Sequence, residues 1–457
     1  MMLIDTHCHL DFPEFNQDRK EVIERAAEAG VAYIVNIGSS IEGSRRSVEL
    51  ARDYPFIYAT LGIHPHYAKD VEGRVPEELR RLAKEEKVAA IGEVGLDYYR
   101  NLSPKDLQKS LFLDFINLAK EKNLPIVIHS REAHKETLEI LKKEFKSGIR
   151  GVMHCFSADE EYLKECLDMG LYLSFTCNLT FKNAKGLRAL ARKVPVERLL
   201  LETDAPFLAP QEFRGRRNEP AYLTYLVKEH ARIHGLSQGD IARITTHNAG
   251  ALFGLPLKEE PKIAYAIRDS LYLNITNRCT NDCDFCTRNK GDFVKGHNLR
   301  LEREPAVGDI MKAVGDPLDF KEIVFCGYGE PLLRLDVVKE VAGRLKKKGA
   351  RIRMVTNGEG NVIHKRSIVK ELTGLIDRVS ISLNVDTEKT YDKVCRSRFG
   401  SGVFNKIKEF TKECRDAGME VELTFLDLDG VDLARCEEIA KKELGVNCRI
   451  RRYNVVG

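Results

Sequence analysis

The chain has 457 residues, 43% of them hydrophobic and 31% charged, with a formal net charge of +4. At roughly 100–200 residues per domain this allows two large domains or up to four small ones, and the composition excludes wholesale disorder. No apolar run approaches the roughly 18–20 residues of a membrane span, and MMLIDTHCHL lacks the basic start and apolar core of a secretory signal, so a soluble cytoplasmic protein with no membrane partner is expected.

Residues 1–255 alternate short apolar strands with amphipathic helices. The predicted strands are 3–6, 32–37, 57–61, 89–91, 126–128, 151–153, 171–175 and 199–201. Helical patterns such as 18–29, 104–122 and 159–169 lie between them. Eight such units predict a (β/α)8 barrel, with a doubly wound sheet as the alternative. A last helix, 238–253, is expected to pack on the barrel's outside. Residues 256–268, with two prolines and mixed charge, are read as a linker between a domain at 1–255 and one at 269–457. The second half restarts with strands at 271–275, 322–325, 351–355, 378–383, 420–425 and 448–453. Helical patterns at 335–348, 402–418 and 433–444 separate them, which predicts a partial (β/α)6 barrel. Residues 1–255 carry 36 Lys and Arg against 37 Asp and Glu, and residues 256–457 carry 37 against 32. Neither half is basic enough to mark a nucleic-acid binder on charge alone.

In parallel α/β folds the chemistry sits at the C-terminal ends of strands. His7 and His9 end the first strand, two apart and so on one face. Glu93 follows the fourth, His129 ends the fifth, His154 the sixth and Asp204 the eighth. These ends converge only if the sheet closes, which favours the barrel. Imidazoles with carboxylates suit Zn, Mn or Co, carboxylate-rich positions accept Mg, and six ligands suffice for two ions. A two-metal centre activates water and clamps both oxygens of a phosphodiester. The bland reading of any one of these residues is a hydrogen-bonded strand end. Six of them at five strand ends argue for a metal site.

The segments IDTHCHLDF, GIHPH, IGEVGLDYY, IVIHSREA, MHCFS, LLLETDAPFLAP and TTHNAGALFGL resemble the TatD family of metal-dependent deoxyribonucleases. The resemblance spans residues 3–255. It implies a TIM barrel that hydrolyses DNA, from a 3′ end, with His7, His9, Glu93, His129, His154 and Asp204 as metal ligands. Asp204 and Glu93 are then the candidate catalytic groups, Asp204 also as proton acceptor. Glu202 is read as pointing into the barrel wall. His64, His66, Asp97 and Arg131 follow strands three to five. His64 and Arg131 are candidate phosphate contacts, against the alternatives of a loop cap and an exposed loop residue. The run from Phe213 to Asn218 offers three arginines and an aromatic to a nucleic-acid backbone, or is a solvated loop. Cys8, Cys155 and Cys177 read as small apolar fillers.

Of the twelve cysteines, Cys279, Cys283 and Cys286 alone form a tight cluster, directly after the strand LYLNIT. Such a cluster suits metal better than a disulfide frame. Three thiolates can hold three irons of a [4Fe–4S] cluster and leave the fourth open. A structural zinc wants a fourth close ligand, for which His297 is the nearby candidate. The CxxxCxxC pattern, with Phe285 before its last Cys, resembles the radical S-adenosylmethionine superfamily, over 268–457. Cys326-Gly327-Tyr328-Gly329-Glu330-Pro331 resembles the superfamily's glycine–glutamate motif, and Ser382 and Asn384 fall where members place polar cofactor contacts. The resemblance implies one [4Fe–4S] cluster, bound S-adenosylmethionine, an electron donor and radical chemistry on an unknown substrate, a nucleotide or nucleic acid being the class that unifies the fusion. Cys326 reads as a core thiol. The basic stretch 448–452 lines the barrel mouth or faces solvent. A bifunctional enzyme is therefore expected. The rival reading is a hydrolase of a non-DNA substrate with the iron–sulfur half acting as a sensor.

Overall fold

Eight parallel strands pair in chain order: β1 (Leu3–Cys8), β2 (Val31–Asn36), β3 (Ile57–Leu61), β4 (Val88–Asp97), β5 (Ile126–Arg131), β6 (Gly151–Met153), β7 (Tyr172–Phe175) and β8 (Leu199–Leu201). The ring closes just beyond β8, where Asp204 N–H donates to His7 O and His9 N–H to Ala205 O, both at 2.8 Å. The computed structural model describes residues 1–146, 148–257, 260–289 and 291–452, and the chain divides into two units, Met1–Leu257 and Lys258–Gly457.

Outward-facing strand residues such as Ile126, Ile128, Leu173 and Leu201 pack with Leu111, Phe112, Phe115 and Ile116 of the helix Lys105–Lys122 and with the other outer helices. Each such side chain, fully buried, contributes about 1.5–3 kcal/mol. Residues two apart on a strand share a face, so Val127 turns inward with His129 and Val152 with His154, and Leu200 turns inward too. These inward residues form a separate cluster with Ile4, Val35 and the Ala249, Leu252 and Phe253 of the helix Gln238–Phe253. That helix, expected on the outside, instead covers the end of the barrel opposite the polar strand ends. Asn248 Nδ2 donates to Val196 O and Leu199 O, both at 2.8 Å, and Thr246 Oγ1 to Met2 O at 3.0 Å, all where strands begin. The polar end is thereby left as the open face. β4 runs six residues beyond its predicted end, carrying Glu93 inside the strand. A glycine permits this: Gly95 has φ +145°, and a Cβ there would lie 1.9 Å from His129 O.

His230, fully buried on the helix Leu223–His234, has no hydrogen-bond partner at either ring nitrogen, and His234 Nε2 is likewise buried without one. Burial holds His230 well below the ordinary histidine range and His234 down to about 4. Both are therefore neutral in the fold and protonatable in the unfolded chain. Their contribution is complete above pH about 6.5 and is lost as pH falls toward the folded values. The expected outcome is a barrel whose urea midpoint drops between pH 7.5 and 5. The paired substitution His230→Leu and His234→Leu should flatten that drop by the equivalent of about 4 kcal/mol. An unchanged slope in the double variant would show that the two histidines are not responsible.

In the second unit, β9 (Ala264–Ile267) and β10 (Ser270–Leu273) form a hairpin. A two-residue ladder of β11 (Phe293–Val294) and β12 (His297–Asn298) follows, and then β13 (Glu322–Phe325), β14 (Ile352–Thr356), β15 (Arg378–Asn384), β16 (Glu420–Asp427) and β17 (Asn447–Arg452). The main sheet has the order β17-β16-β15-β14-β13-β10-β9. It is six parallel strands with β9 added antiparallel to β10. The stretch read as linker thus supplies an edge strand. Its Ala-Tyr-Ala-Ile pairs through a two-residue turn at Arg268, whose φ is +56°, and shields the edge of β10. The predicted strand end at Tyr453 lies outside the described residues. No helix among the described residues is long and apolar enough to cross a membrane.

Candidate functional site

At the open end of the barrel the polar strand ends meet around Glu93. Its Oε2 lies 3.6 Å from His7 Nε2 and 3.9 Å from His9 Nε2. Its Oε1 lies 2.8 Å from His129 Nδ1, 3.6 Å from His154 Nε2 and 3.7 Å from His64 Nε2. Asp204 Oδ1 sits 3.6 and 3.5 Å from the same two nitrogens of His7 and His9, which are 3.3 Å apart. Burial would push both carboxyls up. The imidazoles of His64, His154 and His129 hold Glu93 well below the carboxylate range, and those of His9, His154 and His7 hold Asp204 below it. Glu93 therefore stands between two groups of imidazoles, one on each oxygen.

These spacings fit metal ions. Ligands held at about 2.0–2.2 Å on one ion come to lie about 3–4 Å apart. Most of the nitrogen–oxygen distances are too long for hydrogen bonds yet fall in that range. His7, His9 and Asp204 form one group with all ligand atoms within 4.8 Å, and His64, Glu93 and His129 form another. In the second, His64 Nε2 carries the ring proton and is a donor beside the centre, not a ligand. The imidazoles are also oriented from behind, as metal-ligating histidines are. His9 Nδ1 contacts Ile37 O at 3.1 Å, and His154 Nδ1 contacts Glu202 Oε1 at 3.0 Å.

Glu202 is thus not a wall residue. It is buried beneath the site, accepting from Cys155 N–H and Ser174 Oγ at 2.7 Å each. Its Oε2 also lies 4.0 Å from His7 Nδ1. Asp5 accepts from Thr203 N–H at 3.0 Å and Thr203 Oγ1 at 2.6 Å, tying β1 to the loop that carries Asp204, and burial pushes it up to about 7. Sequence reasoning passed over Asp5, although it is two residues from His7. Asp97 Oδ2 lies 2.9 Å from His66 Nε2 and 3.2 Å from His129 Nε2. His64 caps the short helix Pro65–Val71, its Nδ1 accepting from His66 N–H at 3.2 Å, which leaves Nε2 as the donor of its neutral ring.

A cavity of about 680 Å³ opens over this centre, lined by His64, Glu93, Arg131, Asp204 and Phe207 among others. Its rim is apolar where loops are usually polar. Of the eight large hydrophobic residues left exposed among the described residues, three line this cavity, Tyr67 at 48%, Leu102 at 51% and Phe207 at 48%, and Tyr99, at 60%, lies against the cavity-lining Arg131. The Arg131 guanidinium lies 4.0 Å from the Tyr99 ring centroid. The run at 213–218 does not line the cavity. Arg217 pairs with Asp18 at 2.6 Å, Phe213 stacks on Tyr222 at 4.4 Å, and Asn218 ties Thr203 O to Phe207 O, so these residues brace the loop beyond β8.

In the second unit a cavity of about 260 Å³ is lined by Cys279, Cys283, Cys286, Phe285, Gly327, Gly329, Glu330, Ser382 and Asn384. Cys326, Arg451 and Arg452 line it too, so Cys326 is not confined to the core and part of the basic stretch faces the cavity. Pro331 does not. It is buried and starts the short helix Pro331–Arg334. The two glycines serve chain packing: a Cβ at Gly327 would lie 2.3 Å from Asn274 Oδ1, and one at Gly329 2.2 Å from Arg278 O. Glu330 is fully used, accepting from Leu332 N–H at 3.0 Å, Thr356 Oγ1 at 2.8 Å and Asn357 N–H at 2.8 Å. The three thiols do not belong to any group with ligand atoms within 4.8 Å. One zinc ion, with Zn–S bonds of about 2.3 Å, would need them within about 4 Å of one another. A larger cluster spaces its ligands more widely and is not bound by that limit. His297 is occupied elsewhere, its Nε2 contacting Ala266 O at 3.2 Å. Cys395, which sequence spacing does not connect to the loop, lies beside Cys283, whose Sγ is 3.6 Å from Cys395 O.

A family model described as TatD related DNase matches residues 4–254, and one described as Radical SAM superfamily matches residues 273–442. The metal-dependent hydrolase YabD of Bacillus subtilis is 46% identical over 252 residues, 55% of this chain and 99% of that protein. The 3′-5′ ssDNA/RNA exonuclease TatD of Erwinia tasmaniensis is 38% identical over 261 residues, 55% of this chain and 100% of that protein. Among solved structures, the TatD homologue YjjV of Escherichia coli K12 has a TM-score of 0.52 and 32% identity, covering 56% of this chain and 98% of that one.

Proposed function

The chain belongs to the TatD-related DNase family and carries a radical SAM domain beside it, and on that premise we propose that its barrel hydrolyses phosphodiesters of unpaired nucleic acid while its second unit performs S-adenosylmethionine-dependent radical chemistry. One observation carries the hydrolase reading: Glu93 turns one oxygen to His7 and His9 and the other to His129 and His154. A carboxylate so placed, together with Asp204, would hold two divalent ions between the two groups of imidazoles. Two divalent ions bound there would supply an activated water and neutralise charge on the phosphoryl oxygens. His64 Nε2–H and the Arg131 guanidinium, both lining the cavity, donate to the phosphate and hold the scissile bond over the centre. Asp204, ionised and partly exposed to the cavity, accepts the proton that water gives up.

The rim supports an unpaired substrate. Phe207 and Tyr67 are half-exposed and line the cavity. An aromatic face stacks on any base but only on one free of its partner strand, at about 1–3 kcal/mol per base. Manganese-supported turnover should therefore be measured on single-stranded DNA, single-stranded RNA, duplex DNA and bis-p-nitrophenyl phosphate. Single strands are expected to be preferred over duplex. Phe207→Ala should lower kcat/KM on single-stranded DNA about tenfold, on the order of 1.4 kcal/mol, with little change on the small diester. An equal loss on both substrates would remove Phe207 from base recognition. Turnover of the small diester alone would remove nucleic acid as the substrate.

For the second unit, Cys279, Cys283 and Cys286 would hold the cluster, and Ser382 and Asn384 at the end of β15 would contact the nucleoside. When bound, the cluster and S-adenosylmethionine supply a 5′-deoxyadenosyl radical.

A further inference from the structure

Arg288 stands two residues beyond Cys286 in the short turn Thr287–Asn289. Its Nη1 donates to Asn277 O at 3.2 Å and its Nη2 to Asn281 O at 3.0 Å, so the guanidinium is held across the base of the cysteine loop. Its Nε–H is buried and donates to nothing. It lines the same cavity as the three thiols.

A guanidinium partly withdrawn from water, with its Nε–H buried, is stabilised by a neighbouring anion. The carboxylates nearby are engaged. Asp284 pairs with Arg396 at 2.5 Å, Asp282 lies 3.8 Å from that same guanidinium, and Glu330 is satisfied by Leu332, Thr356 and Asn357. Among the described residues no carboxylate forms an ion pair with Arg288.

We propose that Arg288 is the built-in counter-charge of the cysteine loop, favouring the one-electron-reduced state of the iron–sulfur cluster held there. This rests on the reading that the loop carries such a cluster. The balance is simple. One electron enters from a low-potential donor, no bond forms or breaks, and the guanidinium keeps its proton in both states. Reduction adds one negative charge beside a fixed positive one in a partly buried site, so the attraction is greater in the reduced state. Arg288 is thus a positioning and tuning residue, and its signature is a potential.

The test compares full-length wild type, Arg288→Met and Arg288→Lys, each reconstituted with iron and sulfide. Iron content is measured, and the midpoint is read by electron paramagnetic resonance in a dithionite titration. Arg288→Met is expected to hold its iron and lower the reduction equilibrium about tenfold, a midpoint about 59 mV more negative. Arg288→Lys should stay within about threefold of wild type. Equal midpoints in wild type and Arg288→Met at full iron content would overturn the proposal. If Arg288→Met loads no iron, the Lys variant decides: a near-wild-type midpoint supports the proposal and a tenfold loss overturns it. Failure of both variants to load would assign Arg288 to loop structure alone and overturn it as well. A wild-type chain that binds no iron would instead remove the cluster reading itself.

Discussion

Glu93→Gln is expected to lower kcat/KM for single-stranded DNA by at least about 10³-fold, on the order of 4 kcal/mol of transition-state stabilisation. The amide keeps the size of the side chain and removes the charge. Glu93 contacts five imidazoles from its two oxygens, so losing its charge weakens both halves of a two-ion site at once. Asp204→Asn changes the carboxylate that faces His7 and His9 from one oxygen, at 3.6 and 3.5 Å. Titration of metal-stripped protein with manganese, followed by calorimetry, separates the cases. Wild type should bind two ions, Asp204→Asn should weaken one, and Glu93→Gln should weaken both. A Glu93→Gln variant that binds two ions and retains activity within tenfold would remove Glu93 from the bridging position.

Much of this centre is legible in the sequence because strand geometry is rigid. Residues two apart share a face, so His7 with His9 reads directly from the chain. The same rule places Asp5 with His7, and Asp5 is missed because it precedes the visible motif. Glu202 lies just beyond β8, where the chain leaves the extended conformation and alternation no longer sets its direction. Elements set by local composition are harder. The strand Ala264–Ile267 is four residues between charges and prolines, too short for its alternation to stand out, and only its pairing with Ser270–Leu273 fixes it. The last barrel helix is amphipathic whichever surface it covers. Its partners, Val127, Val152 and Leu200, are a fact of barrel closure that helical periodicity does not encode. Tertiary neighbours of the cysteine loop are invisible for the same reason. Cys395 reaches Cys283 across 112 residues, and a single arginine two residues after a motif has no pattern to announce it. The motif glycines are legible as glycines but not for their cause, which is close approach of the backbone at Asn274 and Arg278.

Cys283→Ala is expected to abolish 5′-deoxyadenosine formation in the reconstituted, reduced protein, a loss of at least about 10³-fold, and to leave well under the about four irons per chain of wild type. Cys283 is the middle of the three loop cysteines, and without it a cubane keeps two protein ligands. The loop itself should persist, because its backbone is pinned independently of the thiol: Asp284 N–H donates to Val394 O at 2.9 Å, and Arg398 N–H to Thr280 O at 2.9 Å. Loss of product therefore reports on the cluster and not on unfolding, which circular dichroism of the variant would check. The same variant divides the two readings of the second unit. The barrel and the partial barrel each have their own hydrophobic core, so a purely catalytic second unit predicts DNA hydrolysis within about twofold of wild type in Cys283→Ala. A wild type that loads iron and yields no 5′-deoxyadenosine, together with a hydrolysis rate that shifts tenfold when Cys283 is removed, would instead make the iron–sulfur unit a regulator of the nuclease.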